Sequence, residues 1–343
     1  MACHCCIIPS DVLERFSKDK SLSAAERKNF ADMATFETHW RKVRSVQARA
    51  NALAQLSLSG KTPLAATPAI TVYNCGNGTS LPGTPIPTPG SSSDQTAKRA
   101  FTQTSAVANF YQTVFGRNSV DDLGMTLQSS IHYGVKYNNA FWNGSQMTYG
   151  DGDGNIFVDF TKGNDVIGHE LTHGVTQFSA QLGYANEAGG LNESMSDVFG
   201  SMFRQWSAKQ NVTKADWLIG SGIMGPGAIA KGYTCLRDMS KPGAAHCVAP
   251  QPAHYSKYKP GMDPHYSSGI PNFAFYKAAL AVGGKSWEKT GQIWYQALTA
   301  FKPSPNMKMK TFARRTRTLA KKLYPAEAAV FNAVDKAWRD VGL

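Results

Sequence analysis

Asp165-Val-Ile-Gly-His-Glu-Leu-Thr-His173 is the stretch on which the reading of this chain turns. It contains His-Glu-x-x-His: His169 and His173 stand four residues apart, and Glu170 follows the first histidine. In an α-helix four residues advance about 400°, so the two imidazoles share one face, roughly 40° apart. Both can then bind one zinc ion at about 2.0–2.1 Å. Glu170 points beside such a metal, where a carboxylate serves as general base on an activated water. Taken alone, the pattern can also arise by chance, as two ordinary histidines and a surface glutamate.

The surroundings remove that ambiguity. Glu193, twenty residues after His173, stands in Asn192-Glu193-Ser-Met-Ser-Asp197, within a second apolar-periodic segment carrying Leu191, Met195, Val198 and Phe199. Glu193 completes a two-His, one-Glu ligand set with the fourth position open. Asp197 sits one turn further on, and Asp165 one turn before His169. Both are candidates to accept the remaining N–H of a ligand imidazole and fix its orientation.

Composition sets the frame. The chain has 343 residues, 42% apolar and 17% charged, with 31 Gly and 17 Pro, which argues against global disorder, collagen and coiled coil. No apolar run reaches the length of about 18 residues that a membrane-spanning helix needs. The net charge of +12 is concentrated in Lys302–Lys322, which holds eight Lys/Arg and no acid. That stretch reads as the solvated face of a C-terminal helix, since no nucleic-acid fold signature accompanies it. The N-terminus lacks the basic region and apolar core of a secretory signal, so cytoplasmic synthesis with reduced thiols is expected. Cys235 and Cys247 could pair in an oxidising compartment.

Along the chain, residues 10–56 read as helical and polar, with Ser10 as a candidate N-cap and a second segment opening at Ser21–Glu26. Leu56–Pro68 is rich in Ser, Thr, Pro and Gly and reads as a linker. A helix is expected over Gln95–Phe115. Short strands are expected over Thr126–Tyr137, Ala140–Trp142, Met147–Tyr149 and Ile156–Phe160. From Asp165 onward the chain reads as mainly helical. Asp151-Gly-Asp-Gly-Asn155 looks like a calcium loop, but position twelve is Lys162 rather than Glu, so a turn is the better reading.

At this point the sequence resembles the thermolysin-type zinc metallopeptidases, and within them the protealysin-like branch with short precursors. The matching blocks are Ser130–Gly134, Asn138–Trp142, Met147–Gly154, His169–His173, Asn192–Asp197, His254–Ser256, His265–Ile270 and Trp287–Gly291. The resemblance covers about residue 70 to 343. It implies an α+β, two-domain thermolysin-like fold: a β-rich N-terminal domain and a helical C-terminal domain, with the active-site helix between them. Residues 1–56 would be a propeptide, 57–68 a linker and processing region, 69–178 the first peptidase domain and 179–343 the second.

The resemblance also implies roles. His169, His173 and Glu193 would hold one catalytic zinc, and Glu170 would move the proton. His265 and Tyr184 would hydrogen-bond the oxyanion. Asn139, Ala140 and Trp142 would line the cleft edge and hold the peptide backbone, and Arg237 a substrate carbonyl. Leu236, Phe157 and Val166 would line an apolar pocket, giving cleavage on the N-terminal side of bulky apolar residues. Two departures stand out. Pro260 replaces the acid that the family places five residues before the oxyanion histidine, leaving Asp263 as the only nearby acid. Arg204 occupies a position of the family's double calcium site, so calcium is possible but that site is expected to be lost.

Ile7-Ile-Pro-Ser-Asp-Val-Leu13 is similar to the propeptide signature of the same branch, a segment expected to lie over the cleft and block it. The neighbouring Cys3-His4-Cys5-Cys6 suggests a thiolate able to reach the open zinc position. The expected partners are peptide or protein substrates and the chain's own propeptide, with no nucleic acid, no membrane span and a monomeric state. The competing readings are a permanently inhibited zinc-binding homologue and a basic adhesion or nucleic-acid-binding module. Secretion by a non-standard route is the alternative localisation.

Overall fold

Five short strands, β1 (Ile70–Asn74), β2 (Thr84–Pro85), β3 (Leu127–Ile131), β4 (Ala140–Trp142) and β5 (Met147–Tyr149), form one mixed sheet in the order β2-β1-β3-β5-β4. The computed structural model describes residues 6–37 and 67–343. The expected processing region therefore lies outside the described residues, apart from Thr67 and Pro68. β1 runs parallel to β3, a pairing that needs a crossover. Helix α3 (Gln95–Phe115) lies in that connection over the expected range. Asp94 caps it by accepting from Thr96 N and Ala97 N, and Gly116 ends it in the left-handed region at φ 68°.

The other strand expectations shrink. β3 stops at Ile131 because His132 adopts φ 53°. Ile156–Phe160 is not a strand: Asp153 Oδ1 accepts from the backbone N–H of Asn155, Ile156 and Phe157 and curls the segment. The same contacts make Asp151–Asn155 a turn, as read from sequence. Ser10 is not an N-cap either; Pro9 holds that position and Ser10 opens helix α1 (Ser10–Ser17).

Helix α2 spans residues 24–37 and starts with a capping box, Glu26 N–H donating to Ser23 Oγ while Ser23 N–H donates to Glu26 Oε2. Beyond the sheet lie α4 (Asn164–Gln177), α5 (Asn186–Ser207), α6 (Pro226–Ala230), α7 (Pro264–Ser267), α8 (Gly269–Val282), α9 (Lys289–Thr299), α10 (Met309–Leu323) and α11 (Ala328–Asp340). Among them β6 (Leu218–Ile219) pairs antiparallel with β7 (Arg237–Asp238). In α10 the buried stripe is Met309, Phe312, Ala313, Thr316, Leu319 and Ala320, with Lys310, Arg314, Lys321 and Lys322 exposed. The basic stretch is thus an amphipathic helix packed by its apolar face. No helix among the described residues is long and apolar enough to cross a membrane.

What positions the site is the contact between α4 and α5. A Cβ on Gly200 would lie 2.5 Å from Asp165 O, and one on Gly168 would lie 3.0 Å from Gly200 Cα. Only glycine lets these two backbones approach so closely. The approach brings Glu193 of α5 against His169 and His173 of α4.

Candidate active site

The three ligand candidates converge in a fully buried cluster. His169 Nε2 and His173 Nε2 are 3.0 Å apart. Glu193 Oε2 lies 3.4 Å from His169 Nε2, and Glu193 Oε1 lies 3.5 Å from His173 Nε2. Ligands about 2.0–2.1 Å from a tetrahedral metal are separated by roughly 3.3–3.4 Å. The donor set therefore fits zinc in both chemistry and spacing.

Second contacts fix each ring. His169 Nδ1 meets Asp197 Oδ1 at 2.9 Å. His173 Nδ1 meets Asn192 Oδ1 at 2.9 Å and Ser196 Oγ at 3.0 Å. Each Nε2 is thereby aimed at the cluster. Asp165, expected to share this task, does not: its carboxylate accepts from Gly220 N and lies 3.8 Å from Arg204. One turn before His169 on α4 it faces the 216–221 loop rather than the imidazoles. Asn192 and Ser196 were not singled out from sequence, although Asn192 directly precedes Glu193.

Charge follows the same pattern. Burial opposes ionisation of Glu193, but the His265, His173 and His169 rings hold its carboxyl well below the usual range. Burial likewise disfavours a charged His169, yet Asp197 and Glu193 raise it to about 10. Burial, with His169 nearby, depresses His173 to about 3. Asp197 is held to about 2 against its burial by Arg237 and His169.

Glu170 is fully buried and close enough to Tyr149 to add to the effect of burial in raising that phenol. Tyr184 O–H donates to Glu193 Oε1 at 2.6 Å and lies 3.3 Å from His265 Nε2. His265 Nδ1 lies 2.7 Å from Asp263 Oδ1, which also accepts from His265 N at 2.9 Å. Asp263 thus orients the ring despite Pro260.

The N-terminal segment runs through this site. Cys6 bridges Phe141 antiparallel, and Ile7 N–H donates to Ala140 O at 3.1 Å, extending the sheet past edge strand β4. Asn139 brackets Ile8, accepting from its N–H at 3.0 Å and donating to its carbonyl at 3.2 Å. Arg237 Nη1 donates to Ile7 O at 2.9 Å while its Nε and Nη2 grip Asp197. The Cys6 carbonyl lies on His265 Nε2. The Cys6 thiol turns away, donating to Glu37 Oε2 at 2.7 Å, so it is not aimed at the metal position. Cys3 and Cys5 lie outside the described residues.

Trp142 buries its indole against α4, donating from Nε1 to Gln177 Oε1 at 3.0 Å, rather than facing the cleft. Phe157, Val166 and Leu236 are all fully buried. Phe157 carries the edge of Phe16 from α1 at 6.0 Å between centroids. Arg204 forms an ion pair with Asp216 and donates to Leu218 O and Ser221 Oγ at 3.0 Å each, where the family's calcium was in question.

Comparison with known proteins agrees with this geometry. Residues 48–177 match the family described as thermolysin metallopeptidase, catalytic domain, and residues 180–343 match thermolysin metallopeptidase, alpha-helical domain. An extracellular metalloprotease of Pectobacterium carotovorum subsp. carotovorum is 43% identical over 274 residues, covering 77% of this chain and 78% of that protein. Protease PrtS of a Photorhabdus species is 40% identical over 285 residues, covering 79% and 76%. The solved precursor of protealysin, a metalloproteinase from Serratia proteamaculans, superimposes with a TM-score of 0.83 at 36% identity, covering 98% of this chain and 99% of that one.

Proposed function

The chain belongs to the thermolysin family of metallopeptidases, and from that premise we propose that it is a zinc endopeptidase made as a self-blocked precursor. The observation that carries the reading is the triangle of donor atoms from His169, His173 and Glu193, 3.0–3.5 Å on a side with both rings locked from behind. Zinc held there supplies Lewis acidity toward a water and a substrate carbonyl. The chain's own groups do the rest. Glu170 takes a proton from the attacking water and returns it to the leaving amine nitrogen. His265 and Tyr184 donate hydrogen bonds to the carbonyl oxygen as it gains charge. Asn139 and Ala140 of the sheet edge hold the substrate backbone, and Arg237 holds the carbonyl of the residue after the scissile bond.

The N-terminal segment supports this assignment of subsites. With Cys6 O on His265 and Ile7 between Ala140 O and Arg237, the Cys6–Ile7 bond lies where a scissile bond would. An apolar residue follows that bond, in keeping with a preference for cleavage before bulky apolar residues and with Leu236, Phe157 and Val166 as pocket walls. Residues 1–56 act as the propeptide, removed by a cut in the 47–68 region. The surroundings of Arg204 support a protein without the double calcium site. The name of the Pectobacterium relative supports export as the alternative to a cytoplasmic enzyme.

The test is intact mass over time for the zinc-loaded full chain beside Glu170→Ala. Loss of the N-terminal segment from the parent alone is expected. A parent that stays whole, and cleaves no peptide after its N-terminal segment is removed by an added protease, would overturn the reading in favour of a non-catalytic zinc protein.

A further inference from the structure

A second group of soft donors lies outside the catalytic cluster. Cys235, His246 and Cys247 each present a ligand atom, and the three atoms lie within 4.8 Å of one another. The sulfurs are 3.8 Å apart. That is far beyond the S–S bond of about 2.05 Å. It equals the span of two Zn–S bonds of about 2.3 Å opened to the tetrahedral angle, roughly 3.8 Å. Cys235 and Cys247 are fully buried, while the His246 side chain is 34% exposed. The donor atoms are at most 4.8 Å apart, so the partly exposed His246 ring is the one that shifts to close the triangle onto a metal.

The backbone under these donors is already fixed. Val248 N–H donates to Cys235 O at 2.9 Å and Thr234 N–H to His246 O at 3.0 Å, joining the strand that leads into β7 to the 246–248 segment. Asp238 Oδ2 lies 3.1 Å from His246 Nε2, and Asp238 Oδ1 is pinned by Ser240 N, Ser240 Oγ and Lys241 N. An anchored carboxylate beside a histidine is the arrangement that orients imidazole ligands. Two thiolates and an imidazole select a borderline-soft cation over calcium or magnesium.

We infer that Cys235, His246 and Cys247 form a second metal site, taking zinc or a cation of similar softness, with solvent completing the fourth position. The site would brace the wall that carries Leu236 and Arg237. The N-terminal segment leans on the same wall, because Arg15 donates to Val248 O and Arg237 donates to Ile7 O.

Cobalt(II), read beside the cysteine variants, gives a readout of this site. Among the described residues the catalytic donors are His169, His173 and Glu193, none of them sulfur, so a thiolate-to-cobalt charge-transfer band reports cysteine ligation and the Cys235 and Cys247 variants assign it. The experiment uses the reduced full chain carrying Glu170→Gln, which keeps it intact, with metal analysis beside absorption. We expect two cobalt ions per chain and the band in this protein. One ion and no band are expected after Cys235→Ser or Cys247→Ser, and a weakened second site after His246→Ala, which alters only a surface ring. Three results would overturn the inference. One is a single ion without the band. Another is a band that survives both cysteine substitutions, which would place the metal on other thiols. The third is a Cys235–Cys247 disulfide, found by peptide mapping, in protein purified with zinc and without oxidant.

Discussion

Replacing Gly200 by alanine should damage the metal centre far more than the fold. A Cβ at this position would lie 2.5 Å from Asp165 O and 3.1 Å from His169 N, where ordinary contact begins at 3.4 Å. Both neighbours are backbone of α4, so relief requires α5 to retreat by about 0.9 Å, the difference between those distances. Overpacking of this kind costs about 1–3 kcal/mol. Removing a glycine from a helix interior returns about 1 kcal/mol. The net of about 0–2 kcal/mol leaves a protein of ordinary stability folded. Glu193 rides on α5 two turns earlier, and its oxygens sit 3.4–3.5 Å from the imidazole nitrogens of α4. A retreat of that size opens these separations past what one metal can bridge. Zinc affinity should therefore fall at least 10–100-fold, the range seen even when groups behind the ligands are lost. The assay is competition for zinc against a chelator, with thermal unfolding measured in parallel and both proteins carrying Glu170→Gln. Zinc affinity equal to that of the parent would refute the argument that the glycine contact sets the ligand geometry.

Two further predictions concern other parts of the molecule. Phe16 is 2% exposed and packs on Phe30, Phe157 and Tyr233, so Phe16→Ala should weaken docking of the N-terminal segment by about 3–5 kcal/mol. The uncut variant should then hydrolyse a fluorogenic peptide faster than the uncut parent, and equal latency would count against the packing. His132 bridges Asp151 and Asp94, and the bond to Asp151 above all, with Asp94 adding and burial opposing, raises it to about 9. Because the folded value is raised, the stabilisation is complete below about pH 6.5 and is lost as pH climbs through 9, up to about 3 kcal/mol in all. Melting curves from pH 6 to 9.5 should fall more steeply for the parent than for His132→Gln; parallel profiles would show that the bridge contributes nothing.

Much of the site was legible because its chemistry is periodic. His169 and His173 at helical spacing, with Glu193 and Asp197 one turn apart on a second helix, state a geometry that only an α4–α5 contact satisfies. Residues whose roles depend on where side chains turn were harder to read. Asp165 has the right spacing but faces Gly220 and Arg204, because a helix position one turn away does not fix which neighbour a short carboxylate meets. Trp142 alternates correctly along β4, yet the space left beside Gly174 draws its indole under α4. Ile156–Phe160 has the composition of a strand, but Asp153 takes the N–H groups of Ile156 and Phe157, and the segment keeps only an isolated bridge from Phe157 to Met224. His265 looked unsupported when judged by the acid five residues before it. Asp263, only two residues away, caps α7 and holds the ring at once.

Arg237 is where the proposed function couples latency to catalysis. Two of its nitrogens are spent on Asp197, whose other contacts are His169 and Asn272, so the guanidinium is rigid and continuous with the ligand sphere. Its remaining arm holds the Ile7 carbonyl, as it would a substrate carbonyl. The edge of β4 works the same way: Ala140 O and the Asn139 amide are used by Ile7 and Ile8. At Cys6–Ile8 the N-terminal segment therefore uses the groups that the proposed assignment gives to a substrate. Under the proposed assignment, a substitution at Asn139 or Arg237 that loosens this hold weakens substrate by the same contact. Latency can be relieved without cost to catalysis through contacts away from Cys6–Ile8, among them Phe16 on Tyr233, Arg15 on Val248 and Asp19 on Lys231.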